Sequence, residues 1–225
     1  MSYRPVTHVI FDCDGLLLDT ETIYEKVYTD LAAEHGKYFD FGLRMKILGL
    51  TRLTSCKTIV EELKLPMTPE EVVEYQVEKE KELLPGVRMM PGVERLVRHL
   101  VLHKIPIAIA TSSTMEAMEM KMSSHRDLWG QFSHTVAGGS DPEVKRGKPA
   151  PDIFLVCASK FSTQPKPEEC LVFEDALNGV EGALAAGMQV VMVPDPRVPR
   201  EGLPATQVIS SLQEFQPELF GLPPF

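Results

Sequence analysis

The sequence lacks any apolar run long enough to cross a membrane, since its longest apolar segments fall far short of the roughly 20 residues that a membrane-spanning helix needs. Residues 1–5 also lack the apolar centre of a signal peptide. The 4 cysteines show no close pairs with the spacing of a metal site or a disulfide framework, which favours reduced thiols. These absences predict a cytoplasmic protein that does not bind membranes.

An excess of basic residues is missing as well, because 23 Lys and Arg face 32 Asp and Glu, for a net charge of −9. This balance argues against a nucleic-acid partner. It does not exclude a small phosphate ester, since a metal ion and one or two buried cations can invert the local field. No coiled-coil pattern or other assembly signal is found, so we expect a monomer.

Short apolar runs alternate with helical stretches from about residue 91 onward. The predicted strands cover residues 6–11, 105–111, 132–138, 170–174, 189–193 and 207–209. The predicted helices between them cover residues 92–103, 114–128, 151–161 and 178–186. Such alternation favours an α/β fold with a doubly wound, Rossmann-like parallel sheet and helices on both faces.

Residues 20–87 form a different kind of segment, with helical stretches at 21–34, 55–65 and 69–84 and no strand between them. Thr68-Pro69-Glu70-Glu71 is a clear helix start. We therefore predict two domains, an α/β core of residues 1–19 and 88–225 and a small helical cap of residues 20–87 inserted after the first strand. The tail 221–225 is expected to be poorly ordered.

Two carboxylates, Asp12 and Asp14, follow the first predicted strand directly. Residues two apart in an extended segment point the same way, so both carboxylates can face one point. Like charges held that close repel each other unless a cation lies between them, and Mg²⁺ is the hard divalent ion that oxygen ligands favour. An acidic surface turn explains the same residues when they are taken alone.

Three later segments place polar side chains at predicted strand ends: Thr111-Ser112, Lys148, and Glu174-Asp175. Each has an ordinary explanation, as a helix N-cap, an exposed loop lysine or an acidic cap. In a parallel sheet, however, ligands bind beyond the carboxyl ends of the strands. If neighbouring strands carry these segments, one pocket holds four carboxylates, two hydroxyls and one ammonium, a set that suits a metal and a phosphoryl group.

Four motifs follow one another along the chain: D-x-D-G-x-x-x-D at residues 12–19, T/S at 111–112, K-P at 148–149 and E-D at 174–175. In type and order they resemble the motifs of the haloacid dehalogenase superfamily of phosphotransferases. The helical insert resembles the cap of that superfamily. The resemblance implies a phosphatase of small 5′-phosphorylated metabolites. Asp12 would be the nucleophile that forms an aspartyl-phosphate, Asp14 the general acid and base, and Lys148 the cation that offsets charge between nucleophile and phosphate.

The same resemblance implies a Mg²⁺ cofactor and assigns its ligands. Asp12, the backbone carbonyl of Asp14, and Asp175 would hold the ion, with Glu174 close by. Ser112, helped by Thr111, would hold the phosphoryl oxygens.

The substrate and the reaction stay open to more than one interpretation. Gly49-Leu50-Thr51-Arg52 resembles a substrate loop of sugar-phosphate mutases, in which the arginine grips a second phosphate, although an exposed arginine at a helix start explains it equally well. Those mutases carry a histidine where this chain has Tyr24, which weakens a mutase interpretation. The sequence is also compatible with a phosphatase of sugar phosphates and, with less support, with a dehalogenase or a non-catalytic binding protein of this fold.

Overall fold

The computed structural model describes residues 3–48 and 50–225, so Met1, Ser2 and Gly49 lie outside the described residues. Its centre is a six-stranded sheet in the order β3-β2-β1-β4-β5-β6, and every neighbouring pair of strands is parallel. The strands are β1 (His8–Phe11), β2 (Ile107–Thr111), β3 (Thr135–Ala137), β4 (Cys170–Glu174), β5 (Gln189–Met192) and β6 (Gln207–Val208). The predicted doubly wound parallel-sheet fold is confirmed.

The central strands are buried on both faces, which explains their continuous apolar composition. Side chains alternate between two apolar clusters, with Phe11 and Phe173 on one face and Ile10 and Val172 on the other. The rings of Phe11 and Phe173 stack with centroids 5.0 Å apart. This contact fixes β1 beside β4 at the edge where both strands end.

Helices cover both faces of the sheet and form a lobe between β1 and β2. Their bounds are α1 (Thr20–Glu34), α2 (Phe41–Ile47), α3 (Arg52–Leu63), α4 (Pro69–Leu83), α5 (Val93–Leu102), α6 (Met115–Lys121), α7 (Arg126–Trp129), α8 (Asp152–Ser159) and α9 (Leu177–Ala185). The prediction of one continuous helix over residues 114–128 is wrong, because a 3₁₀ turn at Met122–Ser124 divides it. None of the helices in the described ranges is long and apolar enough to cross a membrane.

Helices α1–α4, which we call the helical lobe, enclose a third apolar cluster of their own, built around residues such as Leu31, Ile59 and Val72. Thr68 and Glu71 form a reciprocal capping box at the start of α4, as the sequence predicts. The lobe occupies the segment predicted to be a cap. Its division from the core at residues 20 and 87 stays a prediction.

An ion-pair network fastens the helical lobe to the core. Arg44 of α2 is buried, pairs with Glu25 of α1, and lies 3.0 Å from Asp195 and 3.5 Å from Glu21. Arg197 binds both Glu25 and Asp195 at 2.9 Å. Because Asp195 and Arg197 belong to the loop after β5, these contacts connect the wall of the lobe to the edge of the sheet.

The expectation of a poorly ordered tail is wrong. Leu222 is buried, and the ring of Phe225 lies 3.7 Å from the guanidinium of Arg95 and 4.6 Å from the ring of His99 on α5. Cation–π and aromatic contacts stabilise such a segment without any hydrophobic run in its sequence.

The network between lobe and core predicts a salt-dependent contribution to stability. We expect Asp195→Asn to lower the free energy of unfolding by about 1 kcal/mol at low salt, because Arg44 and Arg197 each lose a charged partner. The loss should shrink in 1 M NaCl, which screens the remaining charges. Urea unfolding at both salt concentrations measures it, with Asp30→Asn, in an exposed pair within α1, as the control. Equal losses in both variants would contradict the assigned role.

Candidate active site

The carboxyl ends of β1, β2 and β4 bring the predicted residues to one edge of the sheet. In the register, Phe11 is opposite Ile109 of β2 and Phe173 of β4, so Asp12 emerges between Ala110 and Glu174. A cavity of about 530 Å³ opens there, lined by residues of the core and of the helical lobe. The four sequence segments therefore converge, although they are far apart along the chain.

Lys148 links two of the carboxylates at the floor of the cavity. Its Nζ donates to Oδ1 of Asp12 and to Oε1 of Glu174, both at 2.6 Å, and to the backbone oxygen of Ala110 at 3.1 Å. Burial raises the pKa of Asp12, while the charge of Lys148 acts in the opposite direction. Lys148 therefore lessens the effect of burial without cancelling it. The pKa of Asp12 is still raised to about 8, so a further cation would be needed to keep this carboxylate ionised at neutral pH.

Asp12, Glu174 and Asp175 form a cluster with the chemistry of a metal site. Each offers a carboxylate oxygen within 4.8 Å of the others, and all three are buried. Burial, together with the charges of Glu174 and Asp12, raises the pKa of Asp175 well above its usual value. Hard oxygen donors that repel one another at this separation fit a divalent cation such as Mg²⁺.

Two glycines allow these acidic groups to approach the backbone. Gly15 has φ +77°, and a Cβ there would collide with Oδ2 of Asp175. A Cβ at Gly179 would collide with the carboxylate of Glu174. The loop after β1 therefore requires glycine for its backbone conformation and for space, and the first turn of α9 requires it for space.

Asp14 is held by a hydrogen-bond network rather than by Lys148. Its Oδ1 accepts from Nζ of Lys121 at 2.6 Å and from the hydroxyl of Tyr24 at 3.2 Å. Its Oδ2 accepts from Oγ of Ser113 at 2.9 Å and from Oγ1 of Thr111 at 3.2 Å. Although burial acts to raise the pKa of Asp14, Lys121 and the hydrogen bonds lower it to about 2.

Lys121 was missed in the sequence analysis, and Ser113, which follows Thr111-Ser112 directly, was assigned no role there. Lys121 is fully buried in the structure, and its Nζ also donates to Oγ of Ser113 at 2.6 Å. One signal was present in the sequence, because Lys121 falls three and four residues after Met118 and Ala117, on the apolar face of a predicted helix. A lysine on a buried face requires an anionic partner.

The remaining predicted residues lie at different places around the cavity. Ser112 lines it directly, whereas the hydroxyl of Thr111 is directed at Asp14. Arg52, the first residue of α3, lines the opposite wall and pairs with Glu80 at 2.7 Å.

The fold and this edge of the sheet define an α/β enzyme whose acidic cavity lies under a helical lobe. A family model described as haloacid dehalogenase-like hydrolase matches residues 6–187. The chain is 49% identical over 223 residues to a probable pseudouridine-5′-phosphatase of Drosophila melanogaster, covering 99% of this chain and 96% of the relative. It is also 44% identical to (DL)-glycerol-3-phosphatase 2 of Arabidopsis thaliana, covering 98% and 93%.

The chain belongs to the haloacid dehalogenase-like hydrolase family, which confirms the resemblance seen in its motifs. It is a phosphoric monoester hydrolase, in keeping with relatives over nearly its full length that are named as phosphatases. The crystal structure of β-phosphoglucomutase from Clostridium difficile shares the fold, with a TM-score of 0.77 at 24% identity over 95% of this chain and 94% of that one.

The pair between Lys121 and Asp14 predicts a pH-dependent contribution to stability. The pKa of Asp14 is about 2 in the folded protein against an ordinary 3.8, so the pair stabilises the fold above about pH 4 and its effect is lost as the pH falls through 2. We expect Lys121→Met to lower the free energy of unfolding by about 2 kcal/mol at pH 7 and by less at pH 3.

Chemical denaturation at the two pH values measures this difference. Lys57→Met is the control, since that side chain is 66% exposed. A loss for Lys121→Met that does not depend on pH, or one no larger than that of the control, would contradict the interpretation.

Proposed function

We propose that the protein is a Mg²⁺-dependent phosphatase that hydrolyses pseudouridine 5′-monophosphate to pseudouridine and phosphate through an aspartyl-phosphate. The main support for the proposed chemistry is the position of Asp12, which lies at the floor of the cavity between Lys148 and the acidic pair Glu174-Asp175. The substrate part is supported by the 49% identity to the Drosophila relative. The reaction needs a nucleophile, a proton donor and charge compensation, and each has a candidate at this edge of the sheet.

Asp12 supplies the nucleophile. Its free carboxylate oxygen attacks phosphorus, the ester P–O bond breaks, and the phosphoryl group remains on Asp12 until water releases it. A carboxylate and a phosphate dianion repel each other, by about 4 kcal/mol for each charge pair at ~4 Å and an effective dielectric of ~20. Lys148, which donates to Asp12, offsets part of this repulsion.

Asp14 carries the proton steps. At neutral pH it is ionised, because its pKa is about 2, and this is the form that accepts a proton from the attacking water in the second step. In the first step it must protonate the leaving oxygen. A bound phosphate adds negative charge beside Asp14, which raises its pKa and allows it to carry that proton.

The metal would be held by Asp12, the backbone carbonyl of Asp14, and Asp175, with Glu174 close by. When bound, Mg²⁺ supplies positive charge that offsets the repulsion between nucleophile and phosphate. Ser112 hydrogen-bonds the phosphoryl oxygens in this proposal, with Thr111 contributing through its contact with Asp14.

The helical lobe supplies the walls that contact the leaving group. A cavity of about 530 Å³ falls within the ~300–1,000 Å³ typical of small-ligand sites. Tyr24, Tyr28 and Gln76 line it on the side of the lobe, together with Arg52. Aromatic rings next to amide and hydroxyl groups suit a nucleoside, which has a planar base and a polar sugar.

Glycerol 3-phosphate is the second candidate substrate, because the Arabidopsis relative is 44% identical over nearly the whole chain. The sugar-phosphate mutase interpretation has weaker support, since the similarity to β-phosphoglucomutase is at 24% identity and shows the fold alone. We further propose that the enzyme works as a monomer in the cytoplasm. Its four buried, free cysteines support a reducing compartment.

The covalent route predicts that Asp12→Asn abolishes turnover. We expect phosphate release to fall at least about 10³-fold, because an amide is a poor nucleophile, while the far-UV circular dichroism stays unchanged. Phosphate release is measured with pseudouridine, uridine, glycerol and hexose phosphates in the presence of Mg²⁺. Asp127→Asn, at a side chain that is 77% exposed, is the control and should retain activity. Full activity of Asp12→Asn would rule out the aspartyl-phosphate.

The metal site predicts reversible loss of activity with a chelator. We expect EDTA to stop phosphate release and Mg²⁺ to restore it. Mg²⁺ should also raise the unfolding temperature of the native protein, because a ligand that binds only the folded state stabilises it. Asp175→Asn should remove this thermal shift without abolishing folding. A shift of equal size in that variant would place the ion elsewhere.

A further inference from the structure

Arg52 lines the cavity but does not present a free charge to it. Its Nη2 lies 2.7 Å from Oε2 of Glu80, a carboxylate with no exposed side-chain surface. The other oxygen of Glu80 accepts from Nε2 of Gln76 at 2.7 Å. A buried carboxylate that loses its cationic partner is strongly disfavoured, so Arg52 cannot leave Glu80 freely to bind a ligand.

Arg44 is the other arginine that lines this wall, and its positive charge is also neutralised by nearby carboxylates. It contacts the carboxylates of Glu21, Glu25 and Asp195, and its Nη1 also donates to the backbone oxygen of Glu21 at 3.4 Å. Arg197 adds one more positive charge, which is shared between Glu25 and Asp195.

Among the residues that the structure describes, the ion pairs in and behind this wall therefore carry no excess of positive charge. Three guanidinium groups face four carboxylates, and the members are Arg44, Arg52, Arg197, Glu21, Glu25, Glu80 and Asp195. Lys145 lines the rim of the cavity but is exposed, and its Nζ donates to the backbone oxygen of Pro142 at 2.6 Å. A single solvated charge there is largely screened by salt.

A substrate with one phosphate places it at the floor, where Lys148 and the proposed metal lie. A second phosphate on the leaving group would bring up to two further negative charges against a wall whose cations are already paired. Removing that group from water without a compensating cation is unfavourable. An uncharged leaving group that offers hydroxyl, amide or ring surface meets no such penalty.

We propose, as an extension of the function proposed above, that the enzyme selects phosphate monoesters whose leaving group is uncharged, and that Glu80 enforces this selection by neutralising Arg52. Glu80 is a positioning residue in this scheme, since it acts on the ligand only through Arg52. Nucleosides and glycerol meet the requirement, whereas the bisphosphate that a sugar-phosphate mutase must bind does not.

The test compares kcat/KM for release of the 5′-phosphate from pseudouridine 5′-monophosphate and from pseudouridine 3′,5′-bisphosphate. We expect the native enzyme to prefer the monophosphate by at least about tenfold. Glu80→Gln keeps the side-chain size but leaves the charge of Arg52 uncompensated, so the preference should fall about tenfold. The change should shrink in 1 M NaCl, which a purely structural effect would not do.

Three further variants isolate the cause. Glu82→Gln, at an exposed position of α4, should leave the preference unchanged. Adding Arg52→Gln to Glu80→Gln should restore the preference of the native enzyme. If Glu80→Gln fails to fold, Glu25→Gln, which removes one carboxylate partner from both Arg44 and Arg197, should shift the preference in the same direction.

Three outcomes would overturn the inference: a native enzyme that accepts both substrates equally, a preference that Glu80→Gln and Glu25→Gln leave unchanged, or a shift in Glu80→Gln that persists after Arg52→Gln is added. The failure of the proposed function would look different. In that case the native enzyme would release no phosphate from the monophosphate in the presence of Mg²⁺.

Discussion

The pairing of buried lysines with buried carboxylates is the interaction on which the site depends. Asp12, Asp14, Glu174 and Asp175 gather at the ends of β1 and β4, where like charges would otherwise repel and drive the groups to protonate. Lys148 and Lys121 each compensate part of this charge from a different side. The stacked rings of Phe11 in β1 and Phe173 in β4 help to hold these strands side by side. The spacing of the acidic groups that follow the two strands therefore depends on packing in the core.

The two lysines divide the acidic groups into two environments. Lys148 joins the nucleophile candidate to Glu174, whereas Lys121 and the hydroxyl of Tyr24 hold the acid-base candidate in a separate network. Carboxylates in different environments can take different roles at one pH. The helical lobe contributes Tyr24 to this network, so a residue outside the sheet contacts the centre of the proposed chemistry.

Much of the sheet and the acidic part of the site could be predicted from the sequence, because short apolar strands that end in polar residues have a strong local pattern. For Lys121 the sequence indicates only a position on the apolar face of a helix; its partner could not be predicted, since only the folded chain brings the end of α6 beside Asp14. Helix α2 was also missed, because it is short and depends on Asp40 as its N-cap and on the ion pairs of Arg44. The tail was misjudged because its order comes from contacts with Arg95 and His99, which lie far away in sequence.

The helical lobe has its own apolar cluster, separate from the two clusters that sandwich the sheet. Apart from Tyr24, which contacts Asp14, side chains on its inner wall can therefore change during evolution without disturbing the packing that holds Asp12 and Lys148. Divergence in the lobe would then alter which molecules the cavity accepts and would leave the arrangement at the sheet edge unchanged. This separation gives the architecture a physical basis for producing many enzymes from one ancestral catalyst.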